Sequence, residues 1–450
     1  MPLNDSARRR LFSWPLKTDN LSTQLVLMVI VAMAVRLIVM TFLYPEQLDP
    51  QLDHWKFGYE TGRVARSIAL GEGISNPLYT ETGPTAFVTP IYVYLVAGVF
   101  HVFGIYTKAS ALVLLSLNAL TSSLTCIPIV FFANKSFGYR VGLWSGWAWA
   151  LFPYGIYFPV ERIWPTWLAT LLVSVLFWIV LHLEHSDSVY AWSGYGLLWG
   201  LAGLVEPIVL SILPFLSIWA CYRLFRHKRR WLLPAAASAA AFIVVVSPWF
   251  VRNYRVFHQF IPFRDTMGLE WIIGNSGDSF HWRPSEVGPW HNEAEWNEFK
   301  SIGELNYMAE KKQQAFEFIK GHPAWFARQT FRRFLYLWTG YWSLDSRYLK
   351  EEPLDPPNIF FCTALTVLAL IGLRRAFQKH IAVAMPYALV LFFFPLVYYF
   401  THPEVYYRRQ IDPQFVVLAV FALKSRAAFA NIPNQQHDLV ESMGTSVESH

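Results

Sequence analysis

Five polar residues that could do chemistry stand close together near the start of the chain: Asp53, His54, Glu60, Arg63 and Arg66. A carboxylate in a water-poor cavity can act as general base toward a hydroxyl or amine. Asp53 and Glu60 are the candidates for that base, and His54 could assist. Alternatively, Asp53 caps a helix whose exposed face carries the others. Arg63 and Arg66 would share a helix face, where they could bind phosphate or pair with Glu60 and lipid headgroups.

Further ionisable residues stand at the predicted ends of apolar runs. Glu161 and Glu206 lie near membrane depth, where a charge is expensive and therefore suggests function. A hydrogen bond at a helix end would equally explain Glu206. Arg252, Arg408 and Arg409 fall on the predicted outer side, against the usual excess of basic residues inside. Phosphate binding would explain these arginines, and so would snorkelling to outer-leaflet headgroups.

The elements that must hold these residues are predicted to be membrane helices. The chain has 450 residues, of which 54% are hydrophobic and only 15% charged, against about 25% charged in a soluble domain. The net charge of +6 comes from basic residues in short loops beside apolar runs. This pattern is typical of membrane topology, so no nucleic-acid partner is expected. The three cysteines all fall inside apolar runs, so neither a disulfide nor a cysteine metal site is expected.

Eleven apolar runs are candidates for the roughly 20 residues of a span. They are 23–44, 86–104, 109–132, 140–158, 164–183, 190–205, 206–224, 232–250, 357–374, 381–400 and 412–424. The basic loops are 8–17, 134–140, 223–230, 374–379 and 424–426. If all five are cytoplasmic, one of the first three runs cannot cross the membrane. Run 86–104 contains Pro90 and His101, so we expect it to lie at the surface or to re-enter. The first span, 23–44, reads as uncleaved.

The sequence therefore predicts an all-α polytopic membrane protein with about ten spans. Residues 1–22 would be cytoplasmic, 23–426 would form the transmembrane domain, and 427–450 would be a disordered cytoplasmic tail. The predicted non-cytoplasmic segments are 45–108, 251–356 and 401–411. Within the second of these, 300–342 reads as helical and 265–298 as loop.

Motifs of soluble enzymes are missing from the sequence. It contains no G-x-x-x-x-G-K-[ST], no G-x-S-x-G and no H-E-x-x-H. Nucleotide-driven chemistry therefore has no visible site, and a transferase would draw its energy from a lipid-linked phosphate. No cluster of metal ligands is visible, so no cofactor is predicted.

A set of motifs spread over about residues 20–425 resembles one family. The motifs are ARSIALGEG, TGPTAFVTPIY, VFHVFG, PWFVRNY with GN at 274–275, GELNYMAEKKQQAFEFIKGHP and YYRRQIDP. Together with the large first loop, they resemble the GT-C membrane glycosyltransferases. The nearest group is the glycosyltransferase family 39-like proteins, which include relatives of protein O-mannosyltransferases and of the lipid A aminoarabinose transferase.

The resemblance implies a GT-C bundle of 10–12 helices, with juxtamembrane helices in the first loop. It also implies a polyprenyl-phosphate-dependent glycosyltransferase, in which Asp53 or Glu60 activates the acceptor and the arginines hold the leaving phosphate. Relatives differ in metal use, so a divalent metal stays open. Glu161 would loosely match a second acidic residue. The protein would act in a bacterial inner membrane with its site toward the periplasm, and the acceptor is a protein, a lipid or a glycan.

Two other functions compete with this hypothesis. A transporter or flippase of a lipid-linked sugar would share an apolar groove and arginines that bind phosphate. It would also place ionisable groups at mid-bilayer on interrupted helices. The predicted charges lie mostly at the outer face, which favours chemistry at one surface. The third alternative is a non-catalytic cell-envelope assembly protein, which would tolerate loss of Asp53 and Glu60.

Overall fold

Helices make up most of the part of the chain that the structure describes. A computed structural model describes residues 18–43, 45–48, 57–277, 287–290, 292–340, 355–379, 381–404 and 407–430. These residues form no β-strand, and one isolated antiparallel bridge joins Ser75 to Pro84. The predicted all-α class is confirmed.

The described residues form nineteen α-helices. The first ten are α1 Thr18–Phe42, α2 Glu60–Ala69, α3 Pro90–Phe103, α4 Lys108–Leu124, α5 Cys126–Phe137, α6 Tyr139–Ala150, α7 Pro153–Glu161, α8 Thr166–Leu183, α9 Val189–Val205 and α10 Leu213–Arg226. The others are α11 Leu232–Phe257, α12 Met267–Gly274, α13 Glu293–Ile302, α14 Glu304–Gly321, α15 Pro323–Thr339, α16 Asp355–Lys379, α17 Ile381–Phe393, α18 Leu396–Phe400 and α19 Asp412–Ala430. Short 3₁₀ helices occur at Pro45–Leu48, Pro207–Ile212 and Arg409–Ile411.

Seven helical stretches of the described chain are long and apolar enough to cross a membrane. They are Leu21–Phe42, Lys108–Phe137, Thr166–Leu183, Pro207–Arg226, Leu232–Phe257, Asn358–Lys379 and Ile381–Phe400. Three other predicted spans differ in form. Run 140–158 is divided between α6 and α7, run 190–205 is the 17-residue α9, and run 412–424 lies in α19, which begins with an aspartate. The total of ten spans stays a prediction.

Run 86–104 contains α3, which has 14 residues. At 1.5 Å per residue such a helix is about 21 Å long, shorter than the roughly 30 Å hydrocarbon core. One face is buried through Tyr92, Val96 and Phe100, whereas Tyr94 and Val102 are exposed. Its length suits a helix that does not span alone, and its place relative to the bilayer stays a prediction.

One prediction about the loop segments is wrong in part. The loop predicted over 265–298 contains α12 and the start of α13. The side chain of Asn292 accepts hydrogen bonds from the backbone N–H groups of Ala294 and Glu295, which is a helix N-cap. The stretch predicted as helical from 300 to 342 is helical where the structure describes it, and breaks at Gly303 and His322 divide it among three helices. Helix α19 continues to Ala430, so the first four residues of the predicted tail are helical, and the rest of it lies outside the described residues.

Small residues let the helices of the bundle approach closely. Helix α9 packs against α11 at Gly196, where an added Cβ would lie 1.9 Å from the carbonyl oxygen of Ser238. No side chain larger than hydrogen fits there, and small residues at such contacts are typical of packing between membrane helices. The bundle built in this way carries the loop segments that form the site.

Candidate functional site

A cavity of about 1260 Å³ is lined by both large loop segments and by the ends of bundle helices. Its ionisable lining residues are Glu60, Glu161, Glu206, Glu270, Glu404, Arg162, Arg264, Arg333, Arg408, Arg409 and His402. Apolar side chains such as Phe158, Ile208 and Val397 line other parts of it. A cavity that combines charged groups with apolar surface can hold an anionic head and a hydrocarbon chain together.

Glu60 begins α2 directly after a strained turn. Gly58 has φ 77°, and a Cβ on it would lie 2.4 Å from the carbonyl oxygen of Ile163. Tyr59 has φ 40°, which is costly for a residue with a side chain, and strain of this kind concentrates at functional sites. The turn places Glu60 against Trp290, whose indole N–H donates to its Oε1 over 2.7 Å.

The carboxyl of Glu60 suits a general base near neutral pH. Burial raises the pKa of Glu60 to about 7, although Arg264 and the hydrogen bond from Trp290 act in the opposite direction. A general base works best when its pKa lies near the operating pH. Among the residues singled out from the sequence, Glu60 therefore combines position in the cavity with a suitable pKa.

Residues 84–89, which we call the strap, connect the first loop to the rest of the site. The carbonyl oxygen of Thr85 accepts from Arg252 over 2.7 Å, and that of Phe87 accepts from Arg264 over 2.8 Å. Glu304 of α14 accepts from the Thr85 hydroxyl over 2.7 Å and from the N–H of Ala86 over 2.8 Å. The strap therefore fixes Arg264 relative to the first loop.

Arg264 is the cation that faces the carboxylates of the cavity. Its Nη1 lies 3.9 Å from Oε1 of Glu206, at the C-terminal end of α9. Burial alone would lower the pKa of Arg264, but the charges of Glu206, Glu270 and Glu60 together raise it above its ordinary value. Sequence reasoning missed this arginine, although it lies in a predicted outer segment and so carries the same signal as Arg252.

His402 lies between a carboxylate and a hydroxyl. Its Nδ1 is 3.5 Å from Oε2 of Glu270, and its Nε2 is 3.1 Å from the hydroxyl of Tyr407. All three residues line the cavity. The sequence did not single them out, because Glu270 belongs to a helix in a segment that reads as loop.

Arg408 and Arg409 line the cavity and share one buried carboxylate. Arg408 Nε lies 2.9 Å from Asp412 Oδ1, and Arg409 Nη1 lies 2.5 Å from Oδ2. The guanidinium of Arg409 lies 3.6 Å from the ring centroid of Tyr154. Two cations against one anion leave one net positive charge in a buried place, which favours an anionic ligand.

Two more cations of the lining are already engaged. Arg162 Nε lies 3.3 Å from Oε1 of Glu161. Arg333 donates to the amide oxygen of Asn275 and to the carbonyl oxygens of Gly274 and Phe400. Arg333 therefore holds the end of α12 beside the segment that carries His402.

Two arginines expected to bind phosphate, Arg252 and Arg63, do not line the large cavity. Besides Thr85, Arg252 donates to the carbonyl oxygen of Ile74 over 2.8 Å, so it ties the first loop to the end of α11. Arg63 lines a second cavity of about 600 Å³ together with Arg66. Its guanidinium lies 4.7 Å from the ring centroid of Tyr59. The structure thus brings five predicted residues to the large cavity, namely Glu60, Glu161, Glu206, Arg408 and Arg409.

Two predicted catalytic residues, Asp53 and His54, lie outside the described residues. Within the described ranges, no group of three or more His, Cys, Asp or Glu side chains is placed to hold a metal ion. The carboxylates of Glu60, Glu206 and Glu270 instead face the guanidinium of Arg264.

Solved structures of other proteins share this arrangement of helices. An oligosaccharyltransferase from Archaeoglobus fulgidus, solved with zinc and sulfate, has a TM-score of 0.51 at 14% identity; the match covers 88% of this chain and 49% of that chain. The same enzyme with an inhibitory peptide and a dolichol-phosphate gives 0.51 at 14% identity, over 97% of this chain and 53% of that one. This chain has the GT-C fold. The GT-C-fold chain spans about half the length of the oligosaccharyltransferase.

A further solved structure is less similar to this chain. The aminoarabinose transferase ArnT from Cupriavidus metallidurans, bound to undecaprenyl phosphate, matches at 14% identity with a TM-score of 0.38; the match covers 90% of this chain and 78% of that chain. No protein-family model and no curated protein sequence matches the GT-C-fold chain.

Proposed function

We propose that this GT-C-fold protein is a membrane glycosyltransferase that takes a sugar from a polyprenyl-phosphate-linked donor. The observation that carries the proposal is one cavity that joins the Glu60 carboxyl, the arginine-rich wall and apolar surface. The oligosaccharyltransferase of the same fold was solved with a dolichol-phosphate, which supports a lipid phosphate as ligand.

The reaction is a single displacement with inversion at the anomeric carbon. Glu60, or Asp53 near it in sequence, takes the proton of the acceptor hydroxyl or amine. The acceptor then forms a bond to the anomeric carbon, and the bond from that carbon to the phosphate oxygen breaks. The polyprenyl phosphate leaves with the electron pair.

The arginines stabilise the charge that develops on the leaving phosphate. Arg408 and Arg409 are held in place by Asp412, and Arg264 by the strap and by Glu206. Cations fixed before the reaction begins need no reorganisation during it, and such preorganisation often contributes more to catalysis than any other effect. We place the site at the periplasmic face of a bacterial inner membrane, with a protein, lipid or glycan as acceptor.

The test is transfer by purified protein in lipid nanodiscs, with membrane extract as source of acceptor and a panel of radiolabelled polyprenyl-phosphate sugars. Wild type is compared with Glu60→Gln and with Glu310→Gln, a control at an exposed carboxylate of α14. We expect transfer to fall by roughly 100-fold or more in Glu60→Gln and to persist in the control. Transfer that persists in Glu60→Gln but stops in Asp53→Asn would assign the base to Asp53. No transfer from any donor would contradict the proposed function.

A further inference from the structure

The imidazole of His402 has two neutral tautomers and one imidazolium form. Two of these three arrangements, one neutral tautomer and the imidazolium, carry a proton on Nδ1, the nitrogen that lies 3.5 Å from Glu270. A neutral imidazole carries one N–H and an imidazolium carries two. If the single N–H of a neutral ring points to Glu270, the Nε2 atom must accept the hydroxyl proton of Tyr407. If the ring is an imidazolium, both nitrogens donate, and the hydroxyl oxygen of Tyr407 accepts instead.

The state of His402 therefore decides where the hydroxyl proton of Tyr407 points. Beside a neutral ring, that proton is directed at Nε2, 3.1 Å away. Beside an imidazolium, it is directed away from the ring. Tyr407 lines the cavity and immediately precedes Arg408, so a proton turned from His402 can serve an anion in the cavity.

The groups that face His402 act on its charge in opposite directions, and their combined effect lowers its pKa. Burial lowers the pKa of His402, the charge of Glu270 on α12 raises it, and the charge of Arg333 on α15 lowers it again. Glu404 lines the cavity from the same segment as His402. Arg264 also lines the cavity, and its charge interacts with that of Glu270. An additional negative charge in the cavity would favour the imidazolium.

We propose that His402 takes up a proton from solvent when the phosphate of a lipid-linked donor enters the cavity, and that Tyr407 then donates its hydroxyl to that phosphate. Tyr407 is a ligand-binding residue in this scheme, and His402 is a positioning residue that acts through it. Glu270, whose Oε2 lies 3.5 Å from Nδ1, faces the Nδ1–H of the ring in both states. The inference rests on the proposed function only in that the cavity receives a lipid phosphate.

The probe for the test is a farnesyl phosphodiester, because a phosphodiester does not titrate near neutral pH and so adds no proton change of its own. Protein labelled with ¹⁵N in its histidine rings is reconstituted in nanodiscs at about pH 7.5, above the ordinary histidine pKa of about 6.5. Ring ¹⁵N signals of neutral imidazole and imidazolium differ. The signal of His402 is assigned by its loss in His402→Gln, and His322→Gln at an exposed position is the matched control.

We expect saturating phosphodiester to convert one imidazole signal to the imidazolium pattern in wild type and in His322→Gln, but not in His402→Gln. We also expect Tyr407→Phe to bind the phosphodiester about 10- to 100-fold more weakly, because it loses a hydrogen bond to a charged group. Melting temperatures of all variants check that they are folded. A direct ¹⁵N readout is needed because Glu60 also titrates near pH 7 in the same cavity.

Two outcomes would contradict the inference, and only the second would also contradict the proposed function. Saturating binding with His402 still neutral overturns the proton uptake and leaves the proposed function standing. If wild-type protein binds neither the phosphodiester nor any polyprenyl-phosphate sugar, the inference and the proposed function are both overturned.

Discussion

Trp290 donates its indole N–H to the carboxyl of Glu60 over 2.7 Å, across 230 positions of sequence. The second loop segment thus controls the protonation of a residue in the first. Because the donated hydrogen bond stabilises the carboxylate, it lowers the pKa of Glu60 against the effect of burial. Loss of this hydrogen bond would change the pKa of Glu60 while its own side chain stays the same.

Replacing Trp290 by Phe should raise the pKa of Glu60 above its present value of about 7. A hydrogen bond to a charged group is worth roughly 1.5–3 kcal/mol, so the shift should be about one pH unit or more. In a pH–rate profile of sugar transfer, the limb that requires ionised Glu60 should move to higher pH. The control is Trp231→Phe, at an exposed Trp far from Glu60 in sequence. An unmoved limb in Trp290→Phe would show that Glu60 is not the titrating base.

Replacing Arg264 by Met should lower the free energy of unfolding by about 1–3 kcal/mol, because it leaves the half-buried carboxylates of Glu206 and Glu270 without their cation. Glu206 and Glu270 would then repel each other across the cavity. Unfolding is followed in mixed detergent micelles. Arg255→Met, at an exposed position of α11, should unfold like wild type. Equal stabilities of the two variants would mean that Arg264 does not neutralise these carboxylates.

Replacing Gly58 by Ala should displace the start of α2, because the new Cβ would lie 2.4 Å from a backbone oxygen. Gly71→Ala is a sharp control: Gly71 has φ 87°, similar to the 77° of Gly58, but an added Cβ there meets no atom within 4 Å. Both variants carry the cost of positive φ, and only Gly58→Ala adds the clash. We expect transfer to be clearly slower in Gly58→Ala than in Gly71→Ala. Equal transfer rates in the two variants would mean that activity does not depend on the position of Glu60.

The stability that Glu304 contributes to the fold should decrease as pH rises. Burial and the neighbouring carboxyl of Asp265 hold the pKa of Glu304 well above its ordinary value of 4.5. Because the folded-state pKa is the higher one, stability from this group is complete below pH 4.5 and is lost as pH rises through the folded-state pKa. The melting temperature of wild type should therefore decline across that range more than that of Glu304→Gln. Glu310→Gln should keep the wild-type slope.

The sequence predicted those site residues that interrupt an apolar stretch or that are basic on the expected outer side of the membrane. Arg408 and Arg409 stood out because they are basic on an expected outer side, and Glu206 because it interrupts an apolar stretch. Both kinds of signal are local. Residues brought in by tertiary folding carried no such mark: Trp290 and His402 reach the cavity only because loop segments fold back over the bundle.

Arg252 shows the limit of reading charge asymmetry. The signal was real, since an arginine on the outer side does need a partner. Arg252 donates to the backbone oxygens of Thr85 and Ile74, and phosphate binding by this residue stays a prediction. Hydropathy cannot distinguish a backbone oxygen from a phosphate as acceptor, because both satisfy a guanidinium equally well.

The lining of the large cavity is assembled from residues as far apart in sequence as Gly58 and Gln410. A ribosome adds Arg408 and Arg409 only after more than four-fifths of the 450 residues have been made. The site is therefore absent from every shorter nascent chain. Synthesis that stops between Glu60 and Arg408 leaves a fragment that contains Glu60 but lacks the arginine pair.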